Sequence, residues 1–171
     1  MELLIPGLAL VALMIYASTR IKKSAAAAFE AETVETEHFT FEKPEGLLLV
    51  LNGDPALDAE GYSQEYGEGD DASQRRIRFA VSRTQGAPPD AVGDRVTSGA
   101  EIVSRETEIV GGTKFTVIEA VKTKDGSTSR AFHKIGAANG NVFDLCVYSL
   151  SETDFVVQRK IEQMISSFSL K

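Results

Sequence analysis

The sequence predicts an α+β fold in which an antiparallel sheet meander packs against a C-terminal helix, preceded by a single N-terminal transmembrane helix. Three observations lead to this prediction. Two turn dipeptides, Asp125-Gly126 and Asn139-Gly140, separate segments rich in β-branched and aromatic residues. An amphipathic stretch at 157–168 lies near the end of the chain, and an uncharged apolar run lies near its start.

The apolar run at residues 3–17 is LLIPGLALVALMIYA, and Ser18 and Thr19 extend it to 17 uncharged residues. As a helix it would be about 25 Å long, the short end of what crosses a bilayer core. We therefore predict a membrane anchor with its basic flank at residues 1–23. The residues expected to contact lipid are Leu3, Leu4, Ile5, Leu8, Leu10, Val11, Leu13, Met14, Ile15 and Tyr16.

The charges beside this run indicate whether it is cleaved and how it is oriented in the membrane. Arg20, Lys22 and Lys23 follow the run, and only Glu2 precedes it. A cleaved signal peptide carries its positive charges before the apolar region, so the pattern favours an uncleaved anchor. Basic flanks stay in the cytoplasm, which predicts a single-pass protein of the inner (cell) membrane with a cytoplasmic domain. The alternative is an exported domain on the outer side of the membrane.

Residues 24–36 (SAAAAFEAETVET) connect the anchor to the folded domain. Four consecutive alanines and interspersed glutamates favour a helix that continues out of the bilayer. A flexible tether is the alternative. The folded α+β domain is then expected at residues 37–171.

In the first half of that domain, short patterns predict strands, a loop and a helix. Residues 38–41 alternate before the turn Lys43-Pro44-Glu45-Gly46, and the apolar run Leu47–Leu51 predicts a short buried strand. Residues 53–74 are acidic and glycine-rich without periodicity, which predicts a loop. Residues 75–81 alternate basic and apolar, which predicts a strand with one solvated face. Asp90 is expected to cap a short helix.

The second half of the domain predicts the meander and the closing helix. The expected strands are Glu101–Val110, Lys114–Thr123, Thr128–Ile135 and Asn141–Ser149. Glycine, Asn and Asp tolerate the positive φ values of tight turns, so Gly111-Gly112 and the two dipeptides above are the connections. Ser151 or Thr153 is expected to cap the helix. Its apolar face, which we expect to pack on the meander, is Val157, Ile161, Met164, Ile165 and Phe168.

Composition excludes several classes of protein. The chain has 171 residues with 43% hydrophobic and 25% charged residues, which is ordinary for one globular domain. Cys146 is the single cysteine, so an intrachain disulfide and a zinc ribbon are impossible. The net charge of −7 argues against binding nucleic acid through its phosphates. We expect no cofactor and no metal.

A thiol site is the one catalytic arrangement that the spacing allows. If Asn139-Gly140 forms a two-residue turn, His133 pairs with Cys146 on one face of the sheet. A histidine beside a thiol can lower its pKa, and Asp144 on the same face would orient the ring. A buried thiol beside a core histidine explains the same pattern, and no oxyanion-stabilising element is visible. We therefore predict no enzyme, with a thiol-dependent enzyme using Cys146, His133 and Asp144 as the alternative.

The acidic loop is a second candidate site. Its carboxylates do not follow the spacing of an EF-hand, which argues against a calcium site. Such a loop can attract a basic partner by its charge. The candidate docking residues are Asp54, Asp58, Glu60, Glu65, Glu68, Asp70 and Asp71.

Three sequence features occur in an order typical of one family. They are the segment FTFEKPEGL at residues 39–47, the tetrapeptide GTKF at 112–115, and the helix end from Ile161 to Phe168. Over residues 38–171 the chain resembles the PsbP-like superfamily, an α/β/α sandwich shared by the extrinsic photosystem protein PsbP and the Ran-binding Mog proteins. The resemblance implies a non-catalytic scaffold that binds proteins, often at a membrane complex, without naming a partner.

These observations predict a membrane-tethered binding domain, an accessory or assembly factor of a membrane protein complex. Its expected partners are the lipid bilayer and a protein of that complex, with no nucleic acid. A small-ligand-binding domain, with a pocket between sheet and helix, is a further alternative.

Overall fold

In the computed structural model, the described residues are 26–64, 75–124, 127–150 and 155–171. They form two antiparallel sheets and two helices. The small sheet has the order β1-β2-β10, with β1 (Glu32–Glu35), β2 (Phe39–Lys43) and β10 (Ser169–Leu170). The strands of the large sheet are β3 (Leu47–Leu49), β4 (Leu57–Ser63), β5 (Ile77–Gln85), β6 (Glu101–Val110), β7 (Thr113–Lys124), β8 (Ser127–Ala138) and β9 (Asn141–Leu150). The helices are α1 (Pro89–Val96) and α2 (Phe155–Ser167).

The large sheet has the strand order β3-β4-β5-β9-β8-β7-β6, and its last four strands form the predicted meander. Asn139 and Gly140 have φ values of 52° and 76°, both in the left-handed region that a tight two-residue hairpin turn uses. Ala138 consequently pairs with Asn141. The turn at Gly111-Gly112 is also confirmed, with φ values of 59° and 86°. The predicted turn at 125–126 lies outside the described residues.

Side chains alternate along each strand, so the large sheet has two faces that bury different partners. One face, which we call the α2 face, packs Phe143, Leu145 and Val147 against the C-terminal helix and the small sheet. The opposite α1 face packs Ile118, Ile135 and Val142 against Val92 of α1. Helices therefore cover both faces of one antiparallel sheet, and α+β architecture with a C-terminal helix is confirmed.

The predicted apolar face of α2 is confirmed as part of the larger core. Val157, Ile161 and Met164 are buried in it, together with Phe168 just beyond the helix end, and Ile165 packs at its edge. The predicted caps Ser151 and Thr153 lie outside the described residues.

Two buried lysines tie these layers together. Lys134 of β8 donates from Nζ to the carbonyl oxygens of Ile165 at 3.0 Å and Ser166 at 3.4 Å, and it pairs with Glu108 at 2.6 Å. A cation stabilises the carbonyls that a helix C-terminus leaves without partners. Lys43 donates to the carbonyl oxygen of Leu47 at 2.7 Å, linking the small sheet to the large one.

The structure corrects three predictions in the first half of the chain. Residues 32–35, predicted as part of a helical or flexible tether, form β1 and pair with β2, where Val34 is buried beside Phe41. The strand predicted at Leu47–Leu51 ends at Leu49, and Leu51 is 86% exposed. The predicted loop at 53–74 contains β4.

Strand β4 was predicted as a loop because its sequence is acidic and contains a glycine. In the structure, the neighbours of Gly61 leave no room for a side chain. A Cβ atom on Gly61 would lie 2.2 Å from the Leu48 carbonyl oxygen and 2.4 Å from Phe79 Cε1. Glycine therefore admits the Phe79 ring between β4 and the core. The alternation that signals a strand is absent because most of β4 is half-buried.

Helix α1 starts earlier than predicted. Its N-cap is Pro88, and Pro89 begins the helix, where a missing backbone N–H costs nothing. Asp90 sits in the first turn and, with Asp94, pairs with Arg105 of β6 instead of capping the helix.

The predicted anchor and its basic flank, at residues 1–23, lie outside the described residues. Among the helices that the structure describes, none combines the length and apolar character needed to cross a bilayer.

Candidate functional site

The predicted pairing of His133 with Cys146 is confirmed by the register of β8 and β9. The two-residue turn at Asn139-Gly140 fixes this register, since every residue in β8 then has one defined partner in β9. Asp144 lies two residues along β9 on the same face of the sheet. All three side chains lie on the α1 face.

The three side chains form a connected series, here called the Asp–His–Cys cluster (Asp144, His133 and Cys146). His133 Nδ1 lies 3.0 Å from Asp144 Oδ2 and 3.1 Å from Oδ1. Cys146 Sγ lies 3.7 Å from His133 Nε2. A carboxylate only accepts, so Nδ1 carries the hydrogen, which leaves Nε2 to accept from the thiol. The connectivity is that of a thiol catalytic triad.

Burial makes the thiol of this cluster a poorer nucleophile than the thiol of a catalytic triad. His133, Asp144 and Cys146 are 1%, 3% and 6% exposed. Burial raises the pKa of the Cys146 thiol well above its ordinary value of 9.0, the Asp144 charge raises it further, and a hydrogen bond with Tyr148 only partly opposes them. The thiol is therefore protonated at neutral pH, and protonated thiols are poor nucleophiles.

Tyr148, which was not among the residues predicted from the sequence, extends the cluster to the surface. Its ring meets His133 edge-on at a centroid distance of 6.4 Å, and 48% of the residue is exposed. The pKa of its hydroxyl is raised, first by the adjacent Cys146 and then by burial. The available signal was its position two residues after Cys146, which places it on the same face of β9.

The carboxylates of the candidate docking loop are distributed over local contacts. Asp54 Oδ1 accepts from the backbone N–H of Ala56 at 2.9 Å, and Glu60 Oε1 accepts from that of Asp54 at 2.7 Å. Asp58 pairs with Arg83 at 3.3 Å. The described ranges contain no group of three His, Cys, Asp or Glu side chains able to hold a metal ion.

The remaining predicted docking residues, Glu65, Glu68, Asp70 and Asp71, lie outside the described residues. His38, for which the sequence offered no partner, has Nε2 at 3.2 Å from Arg83 Nη1. Its ring also packs on Phe143 at 5.7 Å.

A cavity of about 470 Å³ lies where the start of α2 meets β3 and residues 26–30. Glu30, Glu45, Arg76 and Lys160 line it with both signs of charge. It lies between the large sheet and the C-terminal helix, the position predicted for a small-ligand pocket.

No protein-family model matches the sequence, and no curated protein matches it. Solved structures do. PsbP (CyanoP) of Synechocystis sp. PCC 6803 is 14% identical, over 84% of this chain and 94% of its own, with a TM-score of 0.57. LpqN of Mycobacterium tuberculosis, involved in cell envelope biogenesis, is 12% identical, over 83% of this chain and 91% of its own, with a TM-score of 0.60.

The Ran-binding protein Mog1p of Saccharomyces cerevisiae is 12% identical, over 83% of this chain and 96% of its own, with a TM-score of 0.56. Identities this low establish a shared fold and nothing finer. The resemblance to the PsbP and Mog proteins is confirmed at the level of the fold.

Proposed function

We propose that this chain, which has the fold of PsbP, LpqN and Mog1p, is a non-catalytic binding domain tethered to a membrane. In this role it acts as an accessory or assembly factor of a membrane protein complex. The observation that carries the proposal is the state of Cys146, the candidate nucleophile, which is buried and held protonated. A scaffold keeps such a thiol as a small core residue, whereas an enzyme would need it ionised and reachable.

The similar structures support the same function class. Mog1p is Ran-binding, and LpqN is involved in cell envelope biogenesis. Neither description supplies a partner for this chain. The Ran-binding description of Mog1p favours a protein as the ligand over a metabolite.

The tether and its direction are part of the proposal. The uncharged run at 3–19 would hold the domain at the bilayer, and Arg20, Lys22 and Lys23 would keep that domain in the cytoplasm. Protease treatment of intact cells should then leave the domain undigested. Digestion of the domain would reverse the proposed orientation.

The experiment that tests the function is capture of the partner by the full-length chain. Source cells expressing a C-terminally tagged chain are treated with a membrane-permeable amine cross-linker, their membranes are dissolved in detergent, and captured proteins are quantified by mass spectrometry. Wild type and Cys146→Ala are compared, with an unrelated tagged single-pass protein as the control.

We expect wild type and Cys146→Ala to enrich the same membrane proteins with the same yield. Loss of enrichment in Cys146→Ala, or a covalent adduct on Cys146 in the wild type, would instead support the thiol-dependent enzyme. Equal recovery of all proteins by the unrelated control would remove the evidence for specific binding.

A further inference from the structure

Helix α1 covers only one end of its face of the large sheet. It packs over Ile118, Ile135 and Val142. At the other end, solvent reaches a set of side chains that we call the open face. These are Tyr62, Arg78, Lys122, Ser129 and Tyr148.

The register of the strands aligns these side chains. Tyr62 pairs with Arg78, Arg78 with Tyr148, and Lys122 with Ser129 in the next row. Residues that pair across adjacent strands form a row that crosses the sheet. The row that contains Tyr62, Arg78 and Tyr148 crosses all seven strands, and its other members are Leu48, Ala131, Ala120 and Ile102. It therefore contains aromatic, aliphatic and cationic side chains and no carboxylate.

The charge of the open face is opposite to that of the chain as a whole. The protein carries −7, yet Arg78 and Lys122 have no ion pair among the described residues. Arg75 lies beside them, with its guanidinium 4.3 Å from the centre of the Tyr62 ring and Nη1 donating to the Ser63 carbonyl oxygen at 3.0 Å. The adjoining row, in which Glu60 pairs with Ala80, contains the nearest carboxylate. That Glu60 carboxylate accepts a hydrogen bond from the backbone N–H of Asp54.

The open face has a recess at its centre. A depression of about 220 Å³ is lined by Arg75, Arg78, Ser129, Tyr148, Ser149 and Leu150. It has room for one apolar side chain between flanking charges. Tyrosine and arginine around such recesses are the residues that most often dominate binding energy at protein interfaces.

The buried cluster contacts the open face at Tyr148. The Tyr148 ring meets His133 edge-on at a centroid distance of 6.4 Å, and His133 in turn lies 3.7 Å from Cys146 Sγ and 3.0 Å from Asp144 Oδ2. A side chain held from below loses little conformational entropy when a partner covers it. The Asp–His–Cys cluster therefore supports the Tyr148 side chain of the open face through the His133 ring.

We propose that the open face is a docking surface for an acidic segment of a protein partner, an inference that rests on the proposed binding function. Arg78 and Lys122 pair with carboxylates, and the recess beside Tyr148 receives an apolar or aromatic side chain between them. Arg78 lies on β5 and Lys122 on β7, three strand spacings apart in the sheet order. That separation is about 14 Å, the span of about five extended residues.

A labelled peptide tests the surface directly. The full-length chain in nonionic detergent is titrated into fluorescein-labelled EEYEE, with QQYQQ and KKYKK as charge controls, and fluorescence anisotropy is recorded. Arg78→Glu and Lys122→Glu are compared with Lys114→Glu. Lys114 is a matched control because it lies on the same strand and face as Lys122, exposed, beyond the other side of α1.

We expect saturable binding of EEYEE and weaker binding of both control peptides. Arg78→Glu should raise the Kd by about 10-fold or more and Lys122→Glu by about 3-fold to 10-fold, because each replaces an attractive charge by a repulsive one. Lys114→Glu should change the Kd by less than about 2-fold. Equal effects of all three reversals, or no binding of EEYEE, would overturn the proposal.

A lipid headgroup would use the same cations, so soluble dihexanoylphosphatidylglycerol is titrated in parallel. Binding of this lipid that Arg78→Glu abolishes, without binding of EEYEE, would assign the surface to the membrane and overturn a protein partner. The cross-linking capture is repeated with the same variants. If Arg78→Glu still captures the partner at wild-type yield, the binding function stands and the open face is not its surface.

Discussion

His133 Nδ1 and Asp144 Oδ2 lie 3.0 Å apart on adjacent strands, and both side chains are buried. The pair fixes the ring so that its other nitrogen accepts from Cys146. Interior polar groups of this kind stabilise a fold only while every member keeps its partner.

Asp144→Ala should therefore lower the free energy of unfolding by about 1–3 kcal/mol, because it leaves the imidazole N–H buried without an acceptor. Asp144→Asn retains a carbonyl acceptor and should cost less. Thermal unfolding followed by circular dichroism measures both variants. Wild-type stability of Asp144→Ala would show that the cluster is not a structural unit.

Lys134 should stabilise the end of α2 through its ammonium group. Lys134→Met keeps the aliphatic stem but leaves the carbonyls of Ile165 and Ser166 without their donor, and should cost about 1–3 kcal/mol. Lys122→Met, on the exposed surface of β7, should stay within about 0.5 kcal/mol of wild type. The same unfolding measurement applies, and equal stability of the two variants would contradict the capping role.

Stability should fall at alkaline pH in a way that depends on Cys146. The folded-state pKa of the thiol is raised above 9.0, so above about pH 9 the unfolded chain loses a proton that the folded chain keeps. The unfolded state then binds fewer protons, and the free energy of unfolding falls by up to about 1.4 kcal/mol per pH unit. Below pH 9 this contribution is constant.

The matched comparison is Cys146→Ala, which removes the titrating group. The variant can be less stable than wild type at pH 7, but its stability should decline less between pH 9 and 10. Parallel pH profiles for the two proteins would show that the thiol titrates normally in the folded state.

Gly136 should not tolerate a side chain. A Cβ atom there would lie 2.5 Å from Phe115 Cε1, inside the core beneath Leu170, and Gly136→Ala should cost about 1–3 kcal/mol. Gly93→Ala in α1 is the comparison. Its Cβ would meet Ile118 Cδ1 at 3.2 Å, and the higher helix propensity of alanine offsets that contact by about 1 kcal/mol. Similar unfolding temperatures for the two variants would contradict this difference.

The elements that the sequence predicts well are those with a local physical signal. Asn139-Gly140 determines a turn, the turn determines the register, and the register places His133 opposite Cys146. The period of 3.6 residues from Val157 to Phe168 likewise identifies the buried face of α2.

Features that depend on tertiary packing were not predictable in the same way. Strand β4 is half-buried and acidic, and only glycine at position 61 leaves room for Phe79 of the neighbouring strand. The sequence spacing predicted that the members of the Asp–His–Cys cluster lie together, but it did not predict that they are buried. That burial keeps the thiol protonated. The open face exists because α1 stops short of Tyr148, which no local pattern specifies.

The reactivity of Cys146 most directly tests the claim that its thiol is a buried core group and not a catalytic nucleophile. The native full-length chain in detergent is treated with iodoacetamide near pH 7, and the alkylated fraction is followed by mass spectrometry, with the chain unfolded in guanidinium chloride as reference. We predict alkylation of the native chain about 100-fold or more slower than of the unfolded chain, because the thiol is buried and protonated. Native labelling as fast as, or faster than, that of the unfolded chain would contradict a binding role and support an enzyme.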